Sequence, residues 1–163
     1  MFNWAINRAK SGKPWIFSRL MQEVIPFNRP HGLSVVDLSP EKCRVYLPCK
    51  RRNKNHLGTM HACAIATAAE YVSGLNVVQA FDMNHYRLIM SRIEVDYTRR
   101  PEGFCYTESS ISSTLMSQIN SDLEKEGVSK FSLVSIVTDS KNEKVAEATI
   151  HWQVKFWEKV RVK

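Results

Sequence analysis

The sequence predicts an α+β domain in which one buried helix is wrapped by a curved antiparallel sheet. Three observations predict it. Between Leu57 and Phe81 the sole residue of fixed charge is Glu70, and Ala62, Ala64, Ala66, Ala68 and Ala69 make the stretch a strong helix former. Strand-like segments flank this helix in the chain on both sides. The last of them sets Ala146, Ala148, Ile150, Trp152, Val154 and Phe156 against Val145, Glu147, Thr149, His151, Gln153 and Lys155. That period of two marks an antiparallel strand with one face on a core.

The elements follow in order. Residues 3–24 read as helical, anchored by Trp4, Ile6, Trp15, Phe17, Leu20 and Met21, with Gly12 and Pro14 dividing them into two short helices. Packing against the protein's own core is their expected role, in preference to a membrane surface. Pro26 and Pro30 close this region. Residues 33–38 and 44–47 read as a hairpin across Ser39-Pro40, and 51–55 as a polar loop. The central helix is expected over 57–81, with Met60, Ala64, Ile65, Ala68, Tyr71, Val72 and Leu75 as buried contacts and Gly74 as its stop. Residues 88–97 form a strand whose apolar phase changes near Ser91, which predicts a bulge. After a turn at Pro101-Glu102-Gly103 come a strand over 104–115, a polar turn over 120–127, a strand over 131–137 and a hairpin loop over 139–142. With no repeat or linker, the chain is expected to be one domain, with residues 1–27 as a helical extension and 28–163 as the core.

Composition narrows the function. A chain of 163 residues with 44% apolar and 24% charged residues has the makeup of a soluble globular domain. No segment has the roughly 20 apolar residues that span a bilayer, and the N-terminus lacks the features of a signal peptide, so the expected location is cytoplasmic. Cys43, Cys49, Cys63 and Cys105 form no CxxC pair and no zinc-like spacing, so free thiols and no metal are expected. The net charge of +7 favours polyanions, with concentrations at Lys50-Arg51-Arg52 with Lys54 and at Arg99-Arg100. No nucleic-acid recognition motif accompanies them, so nucleic acid is not expected, and each cluster taken alone reads better as a solvated loop than as a binding site.

The residues with chemical potential open and occupy the central helix: Asn55, His56, Gly58, Thr59, His61 and Glu70. First-turn N–H groups and the positive end of the helix dipole polarise a carbonyl and stabilise an oxyanion, and Asn55 and His61 stand close enough in sequence to add hydrogen bonds. Glu70 follows His61 by nine residues, about 13 Å at 1.5 Å per residue. The two meet only if antiparallel helices of a two-fold dimer bring Glu70 of one chain to the helix start of the other. A carboxylate in apolar surroundings is either hydrogen-bonded or raised in pKa. From spacing alone, a structural carboxylate and a general base are equally good readings of Glu70.

Asn55-His56-Leu57-Gly58-Thr59-Met60-His61, followed by a small-residue helix carrying an acid, resembles the hotdog-fold acyl-CoA thioesterase superfamily. So does Val95-Asp96-Tyr97-Thr98-Arg99-Arg100-Pro101-Glu102-Gly103. The resemblance spans residues 28–157, and the N-terminal helices match a bacterial branch of that superfamily. It implies a thioester hydrolase that works as a homodimer or dimer of dimers, with coenzyme A as part of the substrate and no separate cofactor. By the same resemblance the Ala62 N–H polarises the thioester carbonyl, while Asn55 and His61 orient substrate or water beside Gly58 and Thr59. Glu70 of the partner subunit is the base or nucleophile. Arg99, Arg100 and the 51–54 loop face the coenzyme A phosphates. Two features depart from the pattern: Ala62-Cys63 replaces a glycine pair, and Tyr97-Thr98-Arg99-Arg100-Pro101 is one residue longer than Tyr-x-Arg-Pro. His56 and Glu70 also have the fourteen-residue spacing of hydroxyacyl thioester dehydratases, without their Pro-Gly pair. A non-catalytic acyl-CoA or lipid-binding protein of the same fold is the other alternative.

Overall fold

The computed structural model describes residues 14–39 and 42–159. The first of the two N-terminal helices expected from the sequence lies outside them. Helix α1 (Pro14–Val24) leads into a short 3-10 segment (Pro26–His31) and the hairpin β1 (Ser34–Leu38) and β2 (Cys43–Leu47). The central helix α2 (Ala62–Ala80) follows, then β3 (Tyr86–Tyr97), β4 (Cys105–Ser109), α3 (Ser113–Glu126), β5 (Val128–Asp139) and β6 (Lys144–Phe156). All six strands join one antiparallel sheet in the order β1-β2-β4-β5-β6-β3. The sheet wraps α2, which is the hotdog fold.

Helix α2 sits so close to the sheet because its packed face is small. Ala68 and Ala69 are fully buried, and sheet hydroxyls reach past them to the helix backbone. Thr107 Oγ1 donates to Ala68 O at 3.2 Å and Ser135 Oγ to Ala69 O at 2.8 Å. Trp152 Nε1 donates to Ser73 Oγ at 2.6 Å. All seven contacts expected from the helical period are buried. Gly74 does not stop the helix, which runs six residues further to Ala80. A Cβ at Gly74 would stand 3.3 Å from the Trp152 ring, so the glycine serves close approach of helix and sheet. Nor does the helix begin at Leu57. Residues 57–60 belong to a hydrogen-bonded loop, and His61 is the N-cap.

Helix α1 buries Phe17 and Met21 in the core, and its Ser18 hydroxyl accepts from Val35 N at 2.8 Å. In β3 the register shifts between Met90 and Arg92, so Ser91 and Arg92 together oppose His151. This is the bulge that the change of phase predicts. It keeps Met90, Ile93, Val95 and Tyr97 on the face toward α2. Strand β4 stops at Ser109, and α3 occupies the region read as strand and turn. Ser112 caps this helix by accepting from Leu115 N at 3.1 Å, Gly127 ends it at a φ of 71°, and Ile119 and Leu123 enter the core one turn apart. No helix of the described residues is long and apolar enough to cross a membrane.

Candidate active site at the start of the central helix

The loop before α2 is built on two asparagines. Asn55 Oδ1 accepts from Leu57 N at 3.0 Å, Thr59 N at 3.2 Å and Thr59 Oγ1 at 3.2 Å, and its backbone pairs with Thr59 O and Gly58 N. The turn needs Gly58, whose φ is 75°. With Oδ1 committed, Asn55 Nδ2 remains the group that can reach a substrate. Asn53 is fully buried and ties three segments together. Its Nδ2 donates to His31 O and Pro48 O, both at 2.8 Å, its Oδ1 lies 2.9 Å from His31 Nδ1, and its carbonyl accepts from His61 N at 2.7 Å.

His61 Nδ1 accepts from Cys63 N at 3.0 Å. An accepting Nδ1 leaves the neutral ring's proton on Nε2, which is then a donor. The next residue, Ala62, stands at the first helical position, where its N–H has no helical acceptor. Tyr97 Oη donates to Ala62 O at 2.9 Å, fixing this peptide from the far end of β3. Asn55, Gly58, Thr59, His61 and Ala62 therefore cluster at one helix end.

Glu70 does not join them. On one helix, nine residues put it about 13 Å and half a turn from His61. It shares the stripe of Cys63, Ala66, Thr67 and Gly74, and with Phe27, Ala66, Thr67, Met90 and Ile93 it lines an open groove of about 200 Å³. Among the described residues no hydrogen bond or ion pair reaches its carboxylate, and burial pushes its pKa from 4.5 up to about 7. Strand β3, which walls this groove, is a sheet edge.

The two arginines have different surroundings. Arg99 is engaged by Glu143 at 3.1 Å, Asp139 at 3.7 Å and Glu102 at 4.0 Å. Arg100 is exposed and makes no ion pair among the described residues, and the same holds for Lys50, Arg51, Arg52 and Lys54. Asp139 is fully buried. Burial raises its pKa, but the N–H groups of Glu102, Lys141 and Glu143, with Arg99, outweigh burial and leave it below the usual range. His56 is exposed and makes no hydrogen bond among the described residues. All four cysteines are free thiols, and Cys63 is exposed rather than packed. No cluster of three His, Cys, Asp or Glu side chains among the described residues could hold a metal.

Sequence reasoning missed three residues. Asn53 and Tyr97 act through partners 22 and 35 positions away. Phe27 is 69% exposed yet lines the Glu70 groove from the N-terminal segment.

The model of a family described as a domain of unknown function, DUF4442, matches residues 13–154. No curated protein matches the chain. A Pseudomonas aeruginosa protein of unknown function, described as a probable thioesterase, superposes with a TM-score of 0.78 at 27% identity, over 85% of this chain and 93% of that one. A mutant thioesterase from the same organism gives a TM-score of 0.69 at 10% identity, over 85% and 91%. A mutant thioesterase enzyme from Staphylococcus aureus gives 0.65 at 10% identity, over 80% and 98%. The last two likenesses are of fold.

Proposed function

The chain belongs to the DUF4442 family, and we propose that it hydrolyses acyl thioesters, carried by coenzyme A or an acyl carrier protein, at a site shared between two copies of the chain. The observation that carries this reading is the state of Glu70. An unpartnered carboxylate raised to about 7 in an apolar groove is matched to general-base work near neutral pH. Thioesterases of the same fold support it.

The geometry of one helix supports a second copy. The donors at the start of α2 and the base on its next turns lie too far apart in one chain. Strand β3 offers an edge of twelve residues, with Met90 40% and Tyr97 46% exposed on the face toward α2. A two-fold pairing along this edge sets two α2 helices antiparallel. The Ala62 N–H, with Asn55 Nδ2 and His61 Nε2 beside it, then polarises the thioester carbonyl. Glu70 of the partner subunit takes a proton from the attacking water, or attacks the carbonyl itself to form an anhydride that water then hydrolyses. In either route the C–S bond breaks, and the leaving thiolate takes up the proton that the water loses. Gly58 and Thr59 shape the loop around the carbonyl. Arg100, with the 51–54 loop, is the better candidate for coenzyme A phosphates, because Arg99 is held by three carboxylates. No separate cofactor enters the scheme.

The test is thiol release from acyl-CoAs of several lengths. Glu70→Gln should lower the rate by about 10²–10⁴-fold, and Asn55→Ala should lower it as well. Release unchanged in Glu70→Gln refutes the mechanism, and a monomer at micromolar concentration refutes the shared site. Binding of CoA esters without release would make this an acyl-CoA-binding protein, and hydration of an enoyl-CoA would make it a dehydratase.

A further inference from the structure

On the face of the sheet turned away from α2, three adjacent strands set a serine, a histidine and a carboxylate in one hydrogen-bonded line. Ser132 of β5 and His151 of β6 are cross-strand partners, and the bulge in β3 brings Arg92 opposite His151 on its other side. Ser132 Oγ lies 2.8 Å from His151 Nδ1. His151 Nε2 lies 2.9 Å from Glu94 Oε1, and Arg92 Nη2 lies 3.0 Å from Glu94 Oε2. The hydrogen bond from His151, opposed by partial desolvation and aided by Arg92, holds the Glu94 carboxyl below its usual range.

The bonding fixes the protons. An ionised carboxylate only accepts, so His151 Nε2 carries the hydrogen and donates it to Glu94. In the neutral ring Nδ1 is then a bare acceptor, and the Ser132 hydroxyl donates to it. Nucleophile, base and orienting group stand in that order within hydrogen-bond reach, the arrangement that activates a serine whatever the fold around it. Ser132 is exposed, and the line opens on a groove of about 300 Å³ whose lining includes Ser91, Arg92, Lys130, Ser132 and His151, with Phe131 and Trp152. Lys130 is two residues from Ser132 on the same face of β5. Glu70 and its groove lie on the opposite face.

We propose that Ser132 and His151, positioned by Glu94, form a second hydrolytic site that takes small carboxylic esters, with Arg92 and Lys130 favouring those that carry an anionic group. Ser132 Oγ bonds to the ester carbonyl carbon as its proton passes to His151 Nδ1. The ester C–O bond breaks, and the leaving alkoxide takes that proton. Water then attacks the acyl-serine by the same route, releasing the carboxylic acid and restoring Ser132. Strand N–H groups are engaged in the ladder, so positive charge for the oxyanion comes from Lys130. The charged groups that face His151 are Arg92 and Glu94 from β3 and Lys130 from β5, with Glu147 and Lys155 further along β6.

The test is acetylation of the full chain by p-nitrophenyl acetate, read by peptide mapping in the mass spectrometer. The expected adduct is on Ser132. It forms at least about 100-fold more slowly in His151→Ala and still appears in Glu70→Gln. Glu94→Gln should slow the adduct and Glu94→Asp should restore it, because a carboxylate at Nε2 orients the ring. A merely structural side chain would show no such rescue. No adduct on Ser132, or an adduct whose rate is unchanged in His151→Ala, overturns the proposal and leaves the line as a surface hydrogen-bond network.

Discussion

Replacing Glu70 with glutamine should make the protein more stable, in a way set by pH. The Glu70 carboxyl is raised from 4.5 to about 7 by burial, and among the described residues no favourable charge or hydrogen bond compensates it. Between those values the folded state holds the proton more tightly than the unfolded chain. Stability is therefore full below about pH 4.5, falls as pH rises through the window, and is level above about 7. At about 1.4 kcal/mol per pH unit, burial of the ionised form costs ~3 kcal/mol at pH 8. Glutamine keeps the shape and never ionises, so Glu70→Gln should gain about 3 kcal/mol at pH 8. For 163 residues that is a rise in Tm of roughly 6–12 °C. Near pH 4.5 the variant and the parent should melt together. Urea or thermal unfolding of both at a series of pH values reads the difference directly, because other groups cancel. A difference that does not change with pH, or a glutamine variant less stable at pH 8, would refute the reasoning. Stability gained where activity is lost is the signature of a group held at the expense of the fold for its chemistry.

Three further substitutions follow from the packing. Asn53→Ala removes the donors to His31 O and Pro48 O in a fully buried position and should cost about 3 kcal/mol by chemical denaturation. Asp139→Asn should destabilise the fold at pH 7, with the loss shrinking as the pH falls below the ordinary carboxylate range, because the native carboxyl titrates low. Gly74→Ala should destabilise by ~1 kcal/mol in the same assay despite the better helix propensity of alanine. The new Cβ meets a Trp152 ring that Ser73 holds in place.

Periodicity made much of this structure legible. The buried face of α2, the bulge near Ser91 and the pairing of β5 with β6 can all be read from where apolar residues recur. Helix α3 escaped because its Ser- and Thr-rich start also alternates like a strand. Its stronger signals were a capping serine at Ser112, apolar residues at Leu115, Ile119 and Leu123, and Gly127 beyond the end. Gly74 looked like a stop because propensity ignores tertiary contact, and only the position of Trp152 explains it. At the site, composition exposed Glu70 as an unusual charge, and the clustering of Asn55 and His61 at a helix start was visible in their spacing. The roles of Asn53, Tyr97 and Phe27 depend on segments far away in the chain, which no local pattern encodes.

The extra residue in β3 bears on solubility. A flat open edge of twelve residues is a template for run-on pairing with other chains. Ser91 and Arg92 together oppose His151, which splits this edge into two short runs that cannot both stay in register with one straight neighbour. Deleting Ser91 would leave every other β3 side chain on its present face and remove only that interruption. The shortened chain should fold, yet light scattering should find it in larger and more heterogeneous assemblies than its parent. The serine at the bulge thus interrupts the edge along which further strands could line up.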